Sequence, residues 1–107
     1  MSRYFGDFDT VDDIRDAFDL AAHEILDREI LFAAYEHGHY DGIALILFER
    51  DGRLYEVEGG HCSCRGLENQ WNPQEIVWKQ LLTRNLQYLF DDPIVKRFRA
   101  MVARHVN

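Results

Sequence analysis

The sequence has few cysteines and prolines, no long apolar run and no linker. Its 107 residues include two cysteines and two prolines, and no apolar run approaches the roughly 20 residues that a membrane-spanning helix needs. The opening MSRYFGD lacks the apolar stretch of a signal peptide. No repeat, linker or low-complexity segment divides the chain. We therefore expect a single intracellular domain over residues 1–107, without a membrane partner.

Basic residues are also in the minority. Twelve lysines and arginines face nineteen acids, for a net charge of -7. Such a balance argues against a protein that wraps duplex DNA, because that task needs a positive face. The charge is uneven, with a net of -6 over residues 1–31, -5 over 32–75 and +4 over 76–107. The chain is thus an electrostatic dipole, which can steer association with charged partners.

Complete catalytic motifs are missing as well. The sequence contains no G-x-G-x-x-G, no phosphate loop, no H-E-x-x-H and no strand that alternates basic and aromatic residues. These absences favour a binding protein over an enzyme.

Three consecutive strands are predicted in the first two thirds of the chain. Residues 30–36, 43–50 and 53–58 are rich in branched and aromatic side chains and are bounded by turn residues. Asp51-Gly52 separates the last two strands and has the preferred chemistry of a tight hairpin. The strands are therefore expected to form an antiparallel meander, with one face that helices must cover.

Three helices are predicted, one before the strands and two after them. The first can be capped by Asp9 or Thr10, and its apolar stripe is Val11, Ile14, Phe18, Ala21 and Ile25. The second begins at Asn72-Pro73, and its apolar side is Val77, Trp78, Leu81, Leu82, Leu86 and Leu89. The third begins at residues 91–93, and its buried stripe is Ile94, Phe98, Met101, Val102 and His105. The expected fold class is α+β, in the order α-β-β-β-α-α, with the two C-terminal helices packed on one sheet face.

The meander is expected to bring two polar segments to one end of the sheet. Its first and third strands run in the same direction, so the loop after the first strand and the segment after the third emerge together. The residues of this edge are Glu36, His37, His39, Tyr40, Asp41, His61, Cys62, Cys64 and Glu68. We expect any chemistry or recognition to be found there.

A transition-metal site is the sharpest chemical hypothesis for this edge. Thiolate and imidazole are the ligands that zinc prefers, and the candidate ligands are His37, His39, His61, Cys62 and Cys64. A cysteine activated by a histidine is a second chemical use of the same residues. A third interpretation makes the His-Cys-Ser-Cys segment the core-facing end of a strand, since cysteine is often buried. We expect no cofactor, and zinc is the one that these residues would hold.

An acidic row is predicted on the first helix. Asp12, Asp16, Asp19 and Asp27 share the face opposite the apolar stripe. A row of carboxylates can imitate the phosphates of a nucleic acid, or it can be ordinary solvent-facing charge. The candidate partner-binding set is Asp12, Asp16, Asp19, Asp27, Glu36, Tyr40, Asp41 and Glu68.

A distinctive motif occupies the middle third of the chain. It runs LFERDGRLYEVEGGHCSCRGLENQWNPQE, and it resembles small, mostly uncharacterised proteins encoded by bacteriophages. Arg65 and Asn72 stand where the resemblance leads us to expect tyrosine and an acid. The resemblance implies a phage or prophage origin, with the cytoplasm of the bacterial host as the place of action, but it implies no reaction.

Small acidic phage proteins are often inhibitors of host machinery, among them anti-CRISPR and antirestriction proteins. By class, we therefore expect a viral protein that binds and blocks a host protein or ribonucleoprotein complex through protein-protein contacts. The acidic helix would occupy a basic channel meant for nucleic acid. A small metal-binding or thiol-dependent module is the alternative. Direct contact with nucleic acid is not expected, and a regulator that uses the basic last helix is third, through Lys96, Arg97, Arg99 and Arg104.

Overall fold

The computed structural model describes residues 3–37, 41–62, 66–87 and 89–106. Over these residues the strands are β1 (Tyr4–Gly6), β2 (Ile30–His37), β3 (Asp41–Arg50), β4 (Arg53–Cys62) and β5 (Gln74–Ile76). The helices are α1 (Val11–Phe18) and α2 (Asp92–His105), and short 3-10 helices cover Asp27–Glu29 and Trp78–Leu81. The α+β class predicted from the sequence is confirmed.

The strands form one mixed sheet in the order β1-β2-β3-β4-β5. β1 runs parallel to β2, and the other neighbours are antiparallel. The prediction of a three-stranded meander is therefore wrong, because β1 and β5 extend the β2-β3-β4 meander on its two sides. Each added strand has three residues, too few to display the alternation by which a strand is recognised in a sequence.

The hairpin between β3 and β4 forms at the predicted turn. Asp51 and Gly52 have positive φ angles of 55° and 75°, as a two-residue type I′ turn requires. The turn fixes the register, so that Phe48 faces Tyr55 across the strands. Their rings stack with centroids 5.2 Å apart.

Both faces of the sheet are buried, each under its own helix. On one face α1 packs through Ile14 and Phe18 against Ala44 and Ile46. On the other face α2 packs against Phe32, Leu45 and Leu47, among other residues. The expectation that one face collects the helices is therefore wrong. The run IALILF in β3 has apolar residues at both odd and even positions, which point to opposite faces of the sheet. This is the pattern of a strand buried on both sides.

Helix α1 is shorter than its apolar stripe predicted. It ends at Phe18 because Asp19 adopts the left-handed conformation, with φ 58° and ψ 55°. Ala21 and Ile25 therefore lie beyond the helix. Ile25 still joins the core under α1, so the stripe predicted burial correctly at this position and secondary structure incorrectly.

The helix predicted after Asn72-Pro73 is absent from the described residues. β5 occupies the start of this segment, a 3-10 helix follows, and turns continue towards α2. Leu81 and Leu86 are buried, whereas Val77, Leu82 and Leu89 are 60%, 54% and 40% exposed. The apolar residues thus do not share one helical face. Pairing of β5 with the edge of β4 replaces the predicted helical hydrogen bonds.

Helix α2 forms as predicted, with proline in its first turn. Four of its five predicted core residues are buried: Ile94, Phe98, Met101 and Val102. The burial predicted for His105 is wrong, because its exposed ring stacks on Trp78 with centroids 4.0 Å apart. None of the helices described is long and apolar enough to cross a membrane.

Candidate partner-binding surfaces

The outer face of α1 and the residue that follows its last turn carry three of the predicted acidic residues. Asp12, Asp16 and Asp19 are all exposed. The Asp12 Oδ1 atom accepts a hydrogen bond of 2.8 Å from Nη1 of Arg15. The acidic row therefore exists as a short exposed surface, called here the α1 acidic face and defined by Asp12, Asp16 and Asp19.

Asp27 does not belong to this face. It lies in a 3-10 helix, where both carboxylate oxygens are 3.1 Å from Nη2 of Arg3 and Oδ1 accepts a 2.5 Å hydrogen bond from the Tyr4 hydroxyl. The Tyr4 hydrogen bond and then the Arg3 hydrogen bond hold the pKa of Asp27 below its usual range. Burial and the same hydrogen bond raise the pKa of Tyr4. Asp27 thus ties β1 to the residues that precede β2.

The acids near the far end of β2 face other parts of the molecule. Glu36 is half-buried, and burial followed by the Asp91 carboxylate raises its pKa. Glu68 is exposed, and with Asp7 it adds to the raised pKa of Tyr35, of which burial is the main cause. Because Tyr35 and Glu36 are consecutive strand residues, they belong to opposite faces of the sheet. The acidic residues of the predicted partner-binding set whose side chains are described therefore do not form one continuous surface.

The histidine and cysteine segments meet at one edge of the sheet, at the level of the backbone. His37 and His61 are both in register with Gly42, which lies between them on β3. Asp41 is likewise paired with Cys62. The C-terminal ends of β2 and β4 thus lie at the same end of the sheet, on either side of β3, as chain direction predicted.

This edge does not complete a metal site within the described part of the chain. His39, Tyr40 and Cys64 lie outside the described residues, as do the side chains of His37, Asp41 and Cys62. Among the described side chains no group of three or more His, Cys, Asp or Glu residues can hold a metal ion. The zinc and thiol hypotheses stay predictions.

Gln70 holds the edge of β4 where β5 no longer covers it. Its Oε1 accepts a 2.8 Å hydrogen bond from the Gly60 N–H, and its Nε2 donates to the carbonyls of Gly60 and Gly66 at 2.7 and 2.8 Å. The side-chain amide thus takes the place of a neighbouring strand residue. Sequence reasoning missed this role, because nothing in the spacing of Gly60 and Gln70 marks the pair.

Other residues of the HCSC-containing motif serve packing. The Trp71 ring lies 5.2 Å from Phe18 and 5.8 Å from Phe48, centroid to centroid. A Cβ at Gly59 would come within 2.9 Å of Leu67 and 3.2 Å of Phe18, so the absence of a side chain lets both pack on the sheet. Much of the motif is therefore accounted for by folding.

The basic residues of α2 lie on the opposite side of the sheet from the α1 acidic face. Four of them are exposed: Lys96, Arg97, Arg99 and Arg104. Because α1 and α2 cover opposite faces, the charge asymmetry of the sequence becomes an asymmetry across the sheet. The molecule thus offers an anionic surface and a cationic surface, facing in different directions.

Comparison with known proteins identifies no relative of this chain. No family model, curated protein or solved structure matches it. The two charged surfaces and the sheet edge are therefore the basis for a functional proposal.

Proposed function

We propose that this protein is a phage-type accessory protein that binds and inhibits a host defence or nucleic-acid-processing complex, in the manner of an anti-CRISPR or antirestriction protein. It would act in the cytoplasm of its bacterial host, through protein-protein contacts. The α1 acidic face is the surface assigned to this contact.

The observation that carries the proposal concerns Arg15, the one base in residues 9–19. Its side chain is largely buried and hydrogen-bonded within the protein. Five acids accompany it in that segment. Its Nε and Nη2 atoms donate to the Ile25 carbonyl at 3.1 and 2.7 Å, and its Nη1 donates to Asp12. The Arg15 side chain is 18% exposed. Because this cation is turned inward and engaged, the outward surface of α1 is left to carboxylates.

The acidic face is also held firmly in place. Ile14 and Phe18 anchor α1 in the core, with 0% and 2% of their surface exposed. At the start of the helix, Oδ2 of Asp13 accepts hydrogen bonds from the backbone N–H groups of Asp9 and Thr10 at 2.7 and 3.0 Å. A fixed row of charges loses less conformational entropy on binding than a flexible one. Such a row suits a basic channel built for nucleic acid.

Charge reversal on α1 tests the proposal. A partner is first identified by affinity purification from the infected host, and binding is then measured with purified components at two salt concentrations. We expect Asp16→Lys with Asp19→Lys to weaken binding by about tenfold or more at low salt, and by less at high salt because added ions screen exposed charges.

The control is Glu49→Lys, which makes the same charge change as either α1 substitution alone, at an exposed residue of β3. We expect its affinity to stay close to that of the unchanged protein. If the control and the α1 double variant weaken binding equally, or neither does so at any salt, α1 is not the binding surface and the inhibitor proposal loses its support.

A further inference from the structure

A second surface feature is independent of the acidic face. A cleft of about 260 Å³ lies between α2 and the strands β1 and β2. Its lining includes an apolar group, Phe5, Leu31 and Met101, and a cationic group, Arg97 and Arg104, together with Arg3, whose charge is paired with Asp27. The described lining includes no acidic residue. An apolar floor with a cationic rim points to a ligand that has an apolar part and an anionic part.

The floor of the cleft exists because β2 changes register at Leu31. Ile30 pairs with Phe48 and Phe32 with Leu47, so an extra residue is inserted between the two pairs. Such a bulge breaks the alternation of side chains between faces. Leu31 and Phe32 consequently both pack with the core under α2. Two successive apolar residues are thus presented to the same side.

The floor is formed in advance of any ligand. Phe32 is 1% exposed, and its ring contacts Phe5 and Phe98 with centroid distances of 5.2 and 5.4 Å. Met101 is 5% exposed. Aromatic rings packed in this way have little freedom to collapse into the neighbouring space. The floor is therefore packed independently of any ligand.

The rim is set by helical spacing. Arg97, Ala100, Met101 and Arg104 follow the i, i+3, i+4, i+7 pattern, which places them along one side of α2. Ala100 is small and leaves room between the two arginines. Guanidinium groups hydrogen-bond carboxylate and phosphate oxygens in pairs. The rim therefore suits a single anionic head group.

We propose that this cleft binds a small amphiphile with one anionic head group and an unbranched chain of about eight carbons. An apolar cavity of about 150 Å³ can hold benzene, so a cleft of about 260 Å³ has room for roughly ten heavy atoms. The head group would contact Arg97 and Arg104, and the chain would lie over Phe5, Leu31 and Met101. A nucleic acid would use the rim alone and leave the apolar floor unfilled.

Titration of the 107-residue chain with octanoate, octyl phosphate and octanol tests the proposal. Isothermal calorimetry gives the affinity, and amide chemical shifts give the position. We expect octanoate to bind at one saturable site with shifts centred on Leu31 and Met101, and octanol to bind at least about tenfold more weakly because it lacks the charge. The ratio of octanoate to octyl phosphate affinity distinguishes a carboxylate ligand from a phosphate ligand.

Three variants locate the site. Arg104→Glu should weaken octanoate binding by about tenfold or more, whereas Lys96→Glu, the same charge change on α2 outside the described lining, should alter it by less than about threefold. Ala100→Phe should fill the cleft and abolish binding of octanoate and octanol together, with an unchanged circular dichroism spectrum.

Three results with these ligands and variants would overturn the proposal. These are equal affinity for octanol and octanoate, an Arg104→Glu variant that binds as before, and shifts spread over the whole surface. Single-stranded oligothymidylate that binds through Arg104 while octanoate does not bind would also overturn it, and would make the rim a nucleic-acid surface.

Discussion

Gln70 satisfies both backbone polar groups of Gly60 with one side-chain amide, through hydrogen bonds of 2.8 and 2.7 Å. A third bond joins the same amide to the Gly66 carbonyl. Gln70 therefore bridges the last residues of β4 and the turn that follows the cysteine segment.

Replacement of this amide should loosen the edge of β4. We expect Gln70→Leu to lower the free energy of unfolding by about 1 to 2 kcal/mol, because three hydrogen bonds are lost at sites that water partly reaches. Urea denaturation measures the change, and hydrogen exchange should show faster exchange at the Gly60 amide. Gln87→Leu, at an exposed position, is the control. Equal stability of the two variants would mean that the hydrogen bonds of the Gln70 amide contribute nothing to the free energy of unfolding.

Arg84 should contribute more to the free energy of unfolding than an exposed arginine does. Its guanidinium bonds the Glu56 carboxylate and, at 2.9 Å, that of Glu58. The side chains of Arg84 and Glu56 are 27% and 11% exposed. We expect Arg84→Met to cost about 2 kcal/mol, because it leaves the Glu56 charge largely buried without its partner.

A double variant separates the charge effect from lost packing. Arg84→Met combined with Glu56→Met should recover most of the stability, because replacement of both partners by apolar groups is often nearly neutral. Denaturation of the four proteins in one series gives the coupling between the two residues. Additive losses would show that the two side chains act independently.

The ion pair of Glu29 and Arg50 should make stability depend on acid pH. The Arg50 hydrogen bond of 2.6 Å is the main reason that the pKa of Glu29 lies below its ordinary value of about 4.5. A depressed pKa means that the contribution is complete above about 4.5 and is lost as pH falls through the folded-state pKa. Glu29→Gln should therefore cost about 1 kcal/mol at pH 7 and clearly less at pH 2. A loss that is the same at both pH values would contradict this sign.

Glu36 should show the opposite pH dependence. Burial, followed by the Asp91 carboxylate and with a smaller effect of Asp7, raises its pKa above about 4.5. A raised carboxyl pKa favours the folded state in the protonated form, so its contribution becomes unfavourable as pH rises. At pH 7, Glu36→Gln should stabilise the protein by a few tenths of a kcal/mol, and the gain should vanish at pH 3. Thermal unfolding at both pH values measures it, with Glu49→Gln as an exposed control.

The elements that the sequence predicts well are those with strong local signals. The Asp51-Gly52 turn and the long apolar runs on either side of it define β3 and β4, and proline near the start of α2 marks that helix. β1 and β5 carry no comparable signal, because each is a short strand stabilised by its neighbour. Leu82 and Leu89 appear helically spaced with Leu81 and Leu86, yet tertiary anchoring of the segment overrides that periodicity.

The candidate surfaces were predictable only in part. Asp12 and Asp16 are exposed on α1 and Asp19 is exposed at its end, but the left-handed conformation of Asp19 ends the helix and removes Asp27 from the row. The cleft beside α2 could not be predicted, because it depends on the register shift at Leu31. A one-residue bulge of this kind leaves no mark in the hydrophobic pattern.

Metal analysis addresses the remaining chemical hypothesis. Positions 61 and 62 of β4 belong to opposite faces of the sheet, because successive strand positions alternate. We expect freshly purified protein to contain no stoichiometric zinc, and we expect it to unfold at the same temperature with and without chelator. Cys62→Ser with Cys64→Ser should likewise leave partner binding unchanged. One zinc per chain, lost together with stability in chelator, would show that this edge is a structural metal site.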